Sequence, residues 1–192
     1  MLGEGPTCTF DATIYDVRIP ADQIGRLDVD ALAKASQTPE EFEKALAALG
    51  TTKPMYRANQ SVRLSGDTIM IGSEVPVVTN SRLTDRGQAI NSVQYQSVGA
   101  IFAIVGRAGA PGGIDADLGI EVSAASDTGT AVSDTVRAPI MRKSTLSHKG
   151  PFQPRKPFVI VSVDAGAPDK DGKAVAFICR VIMGDPHPPA PR

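Results

Sequence analysis

From residue 54 to residue 183 the apolar residues recur at every second position rather than every third or fourth, which commits most of the chain to strands. Tyr56, Ala58 and Gln60 alternate with Met55, Arg57, Asn59 and Ser61, and the spacing predicts a strand over about 54–64. A Ser65-Gly66-Asp67 turn then leads into Thr68–Val78 as the second arm of a hairpin. Pro76 cannot donate to a ladder, so the far end of that arm is read as an edge or a bend. Residues 79–91 are polar and read as a long exposed tip. Further strands are expected over 92–107, 115–123, 137–147, 158–163 and 174–183, with turns at 106–113, 150–157 and 165–172. Residues 124–137 are small and polar.

One segment breaks the pattern. Thr38-Pro39-Glu40-Glu41 is a helix start, with Thr38 as N-cap, Pro39 at the first helical position and Glu41 three residues after the cap. Phe42, Ala45, Leu46 and Leu49 follow as one apolar stripe, and Gly50 ends it. Leu32 and Ala35 indicate a shorter helix starting near Asp28 or Asp30. Ahead of both, Phe10, Ala12, Ile14, Val17 and Ile19 give a strand over 10–19 with a register irregularity. The expectation is an α+β chain, mainly β, with antiparallel strands and one helical insert at about 28–50.

The functions excluded are as informative. The chain has 192 residues, 20 basic and 21 acidic, so it lacks the cationic surplus of a nucleic-acid binder. It has no Trp and 5% aromatics, which removes stacking platforms for single strands. No phosphate-binding loop, dinucleotide fingerprint or nucleophile elbow occurs, and His148 and His187 stand in no catalytic motif. Asp115, Asp117, Asp127 and Asp134 match no calcium loop, and the run Gly106–Gly113 opens no helix that could bind an anion. No enzymatic activity, cofactor or metal is expected. Cys8 and Cys179 lack metal-site spacing; they are either a single disulfide of an exported protein or two free buried thiols. No stretch of 18 apolar residues suits a membrane-spanning helix, and residues 1–6 lack the features of a signal peptide.

Ile71-Gly-Ser-Glu-Val-Pro-Val-Val-Thr79 resembles the V-G-E-E-I-P-V-V-T stretch of bacterial type II and type III secretion-system secretins. Twelve residues on, Asn91-Ser-Val-Gln-Tyr-Gln-Ser-Val-Gly99 is similar to their N-T-V-E-Y-R-D-V-G segment, and Leu118-Gly-Ile-Glu-Val-Ser123 to their L-E-I-E-Q-E-V-S-S. The late strands Pro157–Ile160 and Phe177–Ile182 fall where secretins have x-V-V-I-G-G and I-F-I-T-P-R-I-V. Two departures stand out. Ala165–Gly172 is shorter than the secretin stretch V-P-x-L-G-x-I-P-x-L-G, and residues 123–137 hold few apolar side chains for a lipid-facing band.

The resemblance implies an extension at 1–9, a secretin-like β domain over 10–183 and a Pro-rich tail at 184–192. It implies a homo-oligomeric ring sharing a double-walled barrel, a gated pore of the outer membrane and envelope for macromolecule export. Its partners would be further copies of itself, other secretion-system proteins and outer-membrane lipid, with no nucleic acid. A gate hairpin at about 75–95 would place Val75, Pro76, Val77, Val78, Thr79, Arg82, Asp85, Arg86, Asn91, Val93 and Tyr95 at the lumen. Gly72 and Gly99 would mark strand kinks, or plain bulges, and a membrane-proximal hairpin would span about 118–147. A non-conducting structural ring or surface appendage, and a monomeric β-rich binding module, are the other readings.

Overall fold

The computed structural model describes residues 5–83, 89–109, 112–125, 130–133, 136–138, 141–164 and 171–188. The strands are β1 (Thr7–Pro20), β2 (Thr51–Arg63), β3 (Asp67–Leu83), β4 (Ala89–Ala108), β5 (Ile114–Ala125), β6 (Thr130–Ser133), β7 (Val136–Ala138), β8 (Met141–Phe152), β9 (Pro157–Asp164) and β10 (Lys173–Met183). Two helices, α1 (Val29–Ala35) and α2 (Pro39–Leu49), follow a 3-10 turn over Ala21–Arg26. The described strands build two four-stranded antiparallel sheets, ordered β2-β1-β10-β9 and β3-β4-β5-β8, with β6 and β7 as a small separate pair.

The alternation read from sequence is the packing rule of this fold. Cys8, Phe10, Ala12 and Ile14 of β1 turn toward the second sheet, together with Val175, Phe177, Cys179 and Val181 of β10. They meet Phe102, Ile104, Leu118, Ile120 and Leu146 from the facing wall. The opposite face of β1 and β10 carries Tyr15, Val17, Ile19, Ala176 and Ile178, and packs on Leu32, Phe42 and Leu46 of the helices. β10 is thus buried on both faces, so its sequence reads Ala-Val-Ala-Phe-Ile-Cys without a polar break. The layers are helices, first sheet, second sheet.

The helix caps form as the sequence predicts. The Asp28 carboxylate accepts from the Ala31 N–H at 3.0 Å and the Thr38 hydroxyl from the Glu41 N–H at 3.3 Å. Gly50 ends α2 in extended rather than left-handed backbone. A Cβ there would stand 2.0 Å from the Arg18 carbonyl oxygen, so close approach to β1 is what selects glycine.

Several boundaries differ from expectation. The strands of the long hairpin run through Leu83 and resume at Ala89, well into the stretch read as tip, because cross-strand pairing there needs no apolar face. Pro76 is tolerated since β3 is an edge strand. β8 continues through Gly150 and Pro151, read as loop, again on an edge. At the chain ends, β1 already starts at Thr7, and His187 of the tail exchanges backbone hydrogen bonds with it at 2.7 and 3.0 Å.

Candidate functional site

Two features of the chain are not explained by its core: a projecting hairpin and two unpaired flanks. β4 pairs with β5 only from Gly99 opposite Ser123 downward. Above that point β3 and β4 pair with each other alone, from Ser73 opposite Val98 to Leu83 opposite Ala89. The hairpin leaves the sheet where Gly72 lies directly opposite Gly99. A Cβ on Gly72 would stand 2.3 Å from the Val98 carbonyl oxygen, and one on Gly99 2.1 Å from that of Ile71. The two strands approach more closely than any side chain allows.

Ser123 holds the departure point. Its hydroxyl accepts from the Gly99 N–H at 3.0 Å and donates to the Gly99 carbonyl at 3.3 Å. The Ser123 carbonyl accepts from the Tyr56 hydroxyl of β2 at 3.0 Å. Burial raises the Tyr56 pKa, which keeps that phenol a donor. A cleft of about 320 Å³ opens beside the glycine pair, lined by Met70, Ser73, Ile101 and Ser123 among others. Neither Ser123 nor Tyr56 stood out in the sequence, because a serine inside a strand carries no signal until its partner is known.

The structure places Val75, Pro76, Val77, Val93 and Tyr95 on this hairpin, with Pro76 opposite Tyr95 and Val77 opposite Gln94. Val77 is buried, while Val93 and Tyr95 are half or more exposed. Val78, Thr79, Arg82 and Asn91 belong to the same strands, and a register shift falls between Val78 and Asn80. Asp85 and Arg86 lie outside the described residues, as do Asp127 and Asp134.

The unpaired flanks come from the sheet order. Each sheet has two outer strands, and the two sheets place them alike: β2 and β3 are joined by a tight turn on one side, β9 and β8 by the Gln153–Lys156 loop on the other. Inward-facing residues of β8 and β9 face one another: Ser144 and Ser162 hydroxyls stand 2.7 Å apart, and the His148 ring packs 4.1 Å from the Phe158 ring. On the outward face of β5, Asp115, Asp117 and Glu121 pair with Arg107, Lys149 and Lys143 at 3.0, 2.9 and 2.7 Å. Asp115 and Asp117, two of the four aspartates considered for calcium, therefore belong to an ion-pair ladder, and no three metal-ligating side chains gather among the described residues.

The disulfide alternative is corrected. The register sets Cys179 opposite Ile14 and Cys8 opposite Val62, six residues apart along β1, and both thiols are buried and free. Burial pushes Cys8 up to about 11 and Cys179 higher still, so both stay protonated and unreactive while folded.

His148 supplies a pH dependence. Desolvation between Phe152 and Phe158 holds its imidazole below the ordinary value of about 6.5, and its Nε2 has no partner. Below that value the unfolded chain binds a proton that the folded one resists. Stability is therefore full at pH 7 and falls as pH drops from about 6.5 toward 5. Melting curves across that range should show the loss in the native protein and less of it in His148→Phe; equal slopes in both would contradict the assignment.

No protein-family model matches this chain, and no curated protein matches it in sequence. Solved structures do. It is similar to the InvG secretin domain β-barrel of the Salmonella SPI-1 injectisome, at 11% identity and a TM-score of 0.47, covering 96% of this chain and 64% of that one. It is similar to PulD in the Klebsiella pneumoniae type II secretion system outer membrane complex at 12% and 0.47, covering 94% and 40%. The Vibrio cholerae type IV competence pilus secretin PilQ gives 10% and 0.45, covering 94% and 61%. The chain thus spans less than two thirds of the length of each. At these identities and scores the matches carry no functional argument, which rests instead on the strand order of this chain.

Proposed function

We propose that this chain is the repeating unit of a secretin-like ring, a two-walled β-barrel that forms a gated pore of the cell envelope for macromolecule export. One observation carries the reading: both sheets have four strands and present their open edges on the same two flanks. An even strand number means that β8 of one copy, run against β3 of the next, continues the antiparallel order. β9 against β2 does the same in the other wall. Such a contact is head-to-tail, and a head-to-tail contact whose rotation closes makes a ring without edges.

In that ring the hairpins of all copies point the same way. Val75–Thr79 and Asn91–Tyr95 would line or plug the channel, and Arg82, Asp85 and Arg86 would become circles of charge. The glycine pair and the Ser123 clasp give each hairpin a fixed hinge. Partners are then further copies, other envelope proteins and outer-membrane lipid. The small, polar composition of residues 124–137 favours a second reading, a ring that serves as a structural collar and does not conduct.

Light scattering on protein purified in mild detergent tests the ring. A mass many times 20.1 kDa supports it, and conductance in a planar bilayer then separates pore from collar. A 20.1 kDa species with and without detergent sinks the ring and leaves a monomeric binding module.

A further inference from the structure

Among the described residues two buried side-chain polar atoms have no hydrogen-bond partner, Arg142 Nη1 and His148 Nε2. Both belong to β8, the outer strand of the second sheet, and both side chains share the inward face with Leu146. Among the described residues no such atom occurs on an interior strand. The Arg142 side chain is only 14% exposed, and its ion pair with Asp164 Oδ2, at 4.0 Å from Nη1, is too long to satisfy that donor with a hydrogen bond. A guanidinium keeps its charge at any pH a protein meets, so it cannot relieve the deficit by losing a proton. Native folds rarely leave buried donors unmade, and two on one open edge indicate that something else completes that edge.

The opposite flank carries what is missing. On β2, Ala58 and Val62 face the core, so Gln60 faces inward with them yet is exposed. On β3, Ile69 faces inward, and Ser73 shares its parity and is exposed. Ser73 pairs with Val98, the residue after which β4 meets β5, and Arg142 lies opposite Ala124 one step beyond Ser123. The serine and the arginine thus occupy the same level on opposite edges of one sheet. Gln60 occupies the first sheet within two residues of Ala58, which shares a row with Phe158, the ring that covers His148.

We propose that Arg142 donates to the β2/β3 flank of a second copy of this chain, with Ser73 as its acceptor there, and that this buried polar contact selects which flank docks on which. The inference rests on the head-to-tail reading above. Strand edges alone are promiscuous, since any edge can pair with any other; a buried charge that finds an acceptor in one docking and none in the rest gives direction. His148 faces the same seam, and Gln60 of the incoming copy would donate to its Nε2.

The sign of two effects tests this. In Arg142→Met the separated monomer should melt no lower than the native monomer, because a buried donor without a hydrogen bond is removed while Asp164, 40% exposed, stays solvated. Its assembly should be at least tenfold weaker, read as the concentration at which half the mass in light scattering is oligomeric. Lys143→Met, on the exposed side of the same strand, should assemble normally, and Ser73→Ala should weaken assembly in the same direction as Arg142→Met. Native protein that assembles while Arg142→Met assembles equally well would overturn the contact and leave the ring standing. An Arg142→Met monomer that melts lower would assign the residue to its own protomer and overturn it too. Native protein that stays monomeric would remove the ring and the contact together.

Discussion

Gly99→Val is expected to be the most damaging single change in the hairpin. The Cβ it introduces would stand 2.1 Å from the Ile71 carbonyl oxygen and 2.7 Å from the Gly72 Cα, both backbone atoms that no rotamer change can move aside. Either the two strands separate and the ladder breaks above Ile71, or the Ser123 hydroxyl loses its bidentate grip on Gly99. Overpacking of this kind costs about 3 kcal/mol or more, which for a chain of this size lowers the melting temperature by about 10 °C. Gly119→Ala is the control. Its Cβ would meet nothing closer than the Ala103 Cβ at 3.9 Å, an ordinary contact, so its effect should stay within about 0.5 kcal/mol. A Gly99→Val protein that melts with the native one would mean that the strands do not approach as described.

Phe102→Ala is the largest expected loss in the core. Phe102 lies on β4, is fully buried, and meets Phe10 of β1 edge-on with ring centroids 5.5 Å apart. That contact bridges the two sheets, so truncation removes buried area from both and leaves a cavity neither wall can close. The cost is about 3–5 kcal/mol. Guanidinium unfolding should show the shift as a lower midpoint with an unchanged slope. A loss under about 1 kcal/mol would contradict face-to-face packing of the sheets.

Much of this core was legible beforehand because local rules set it. The even-numbered face of β1 and the stripe Phe42, Ala45, Leu46 and Leu49 follow from periodicity, and Thr38 and Pro39 from helix-cap chemistry. What the sequence leaves open is long-range. Nothing in it pairs β1 with β10, since that contact joins the two ends of the chain. Residues 79–83 and 89–91 read as tip because they are polar, yet they lie in paired strands, since backbone pairing requires no apolar side chain. Gly72 and Gly99 were visible as candidate kinks, but their direct opposition, which explains why both are glycine, appears only with the register. Ser123 and Arg142 become functional candidates through their partners, or the lack of one, and neither property is local.

Flank order is tested most directly by cross-linking. Thr68 on β3 and Ser147 on β8 are exposed, lie on opposite edges of the second sheet, and share one row through Ala103 and Gly119. With both replaced by cysteine in one chain, oxidation should yield a ladder of covalent multimers, while Thr68→Cys or Ser147→Cys alone should yield none. The native cysteines are buried and do not compete. A single-cysteine variant that links to itself, or a double variant that remains monomeric on the gel, would contradict head-to-tail continuation of the sheets.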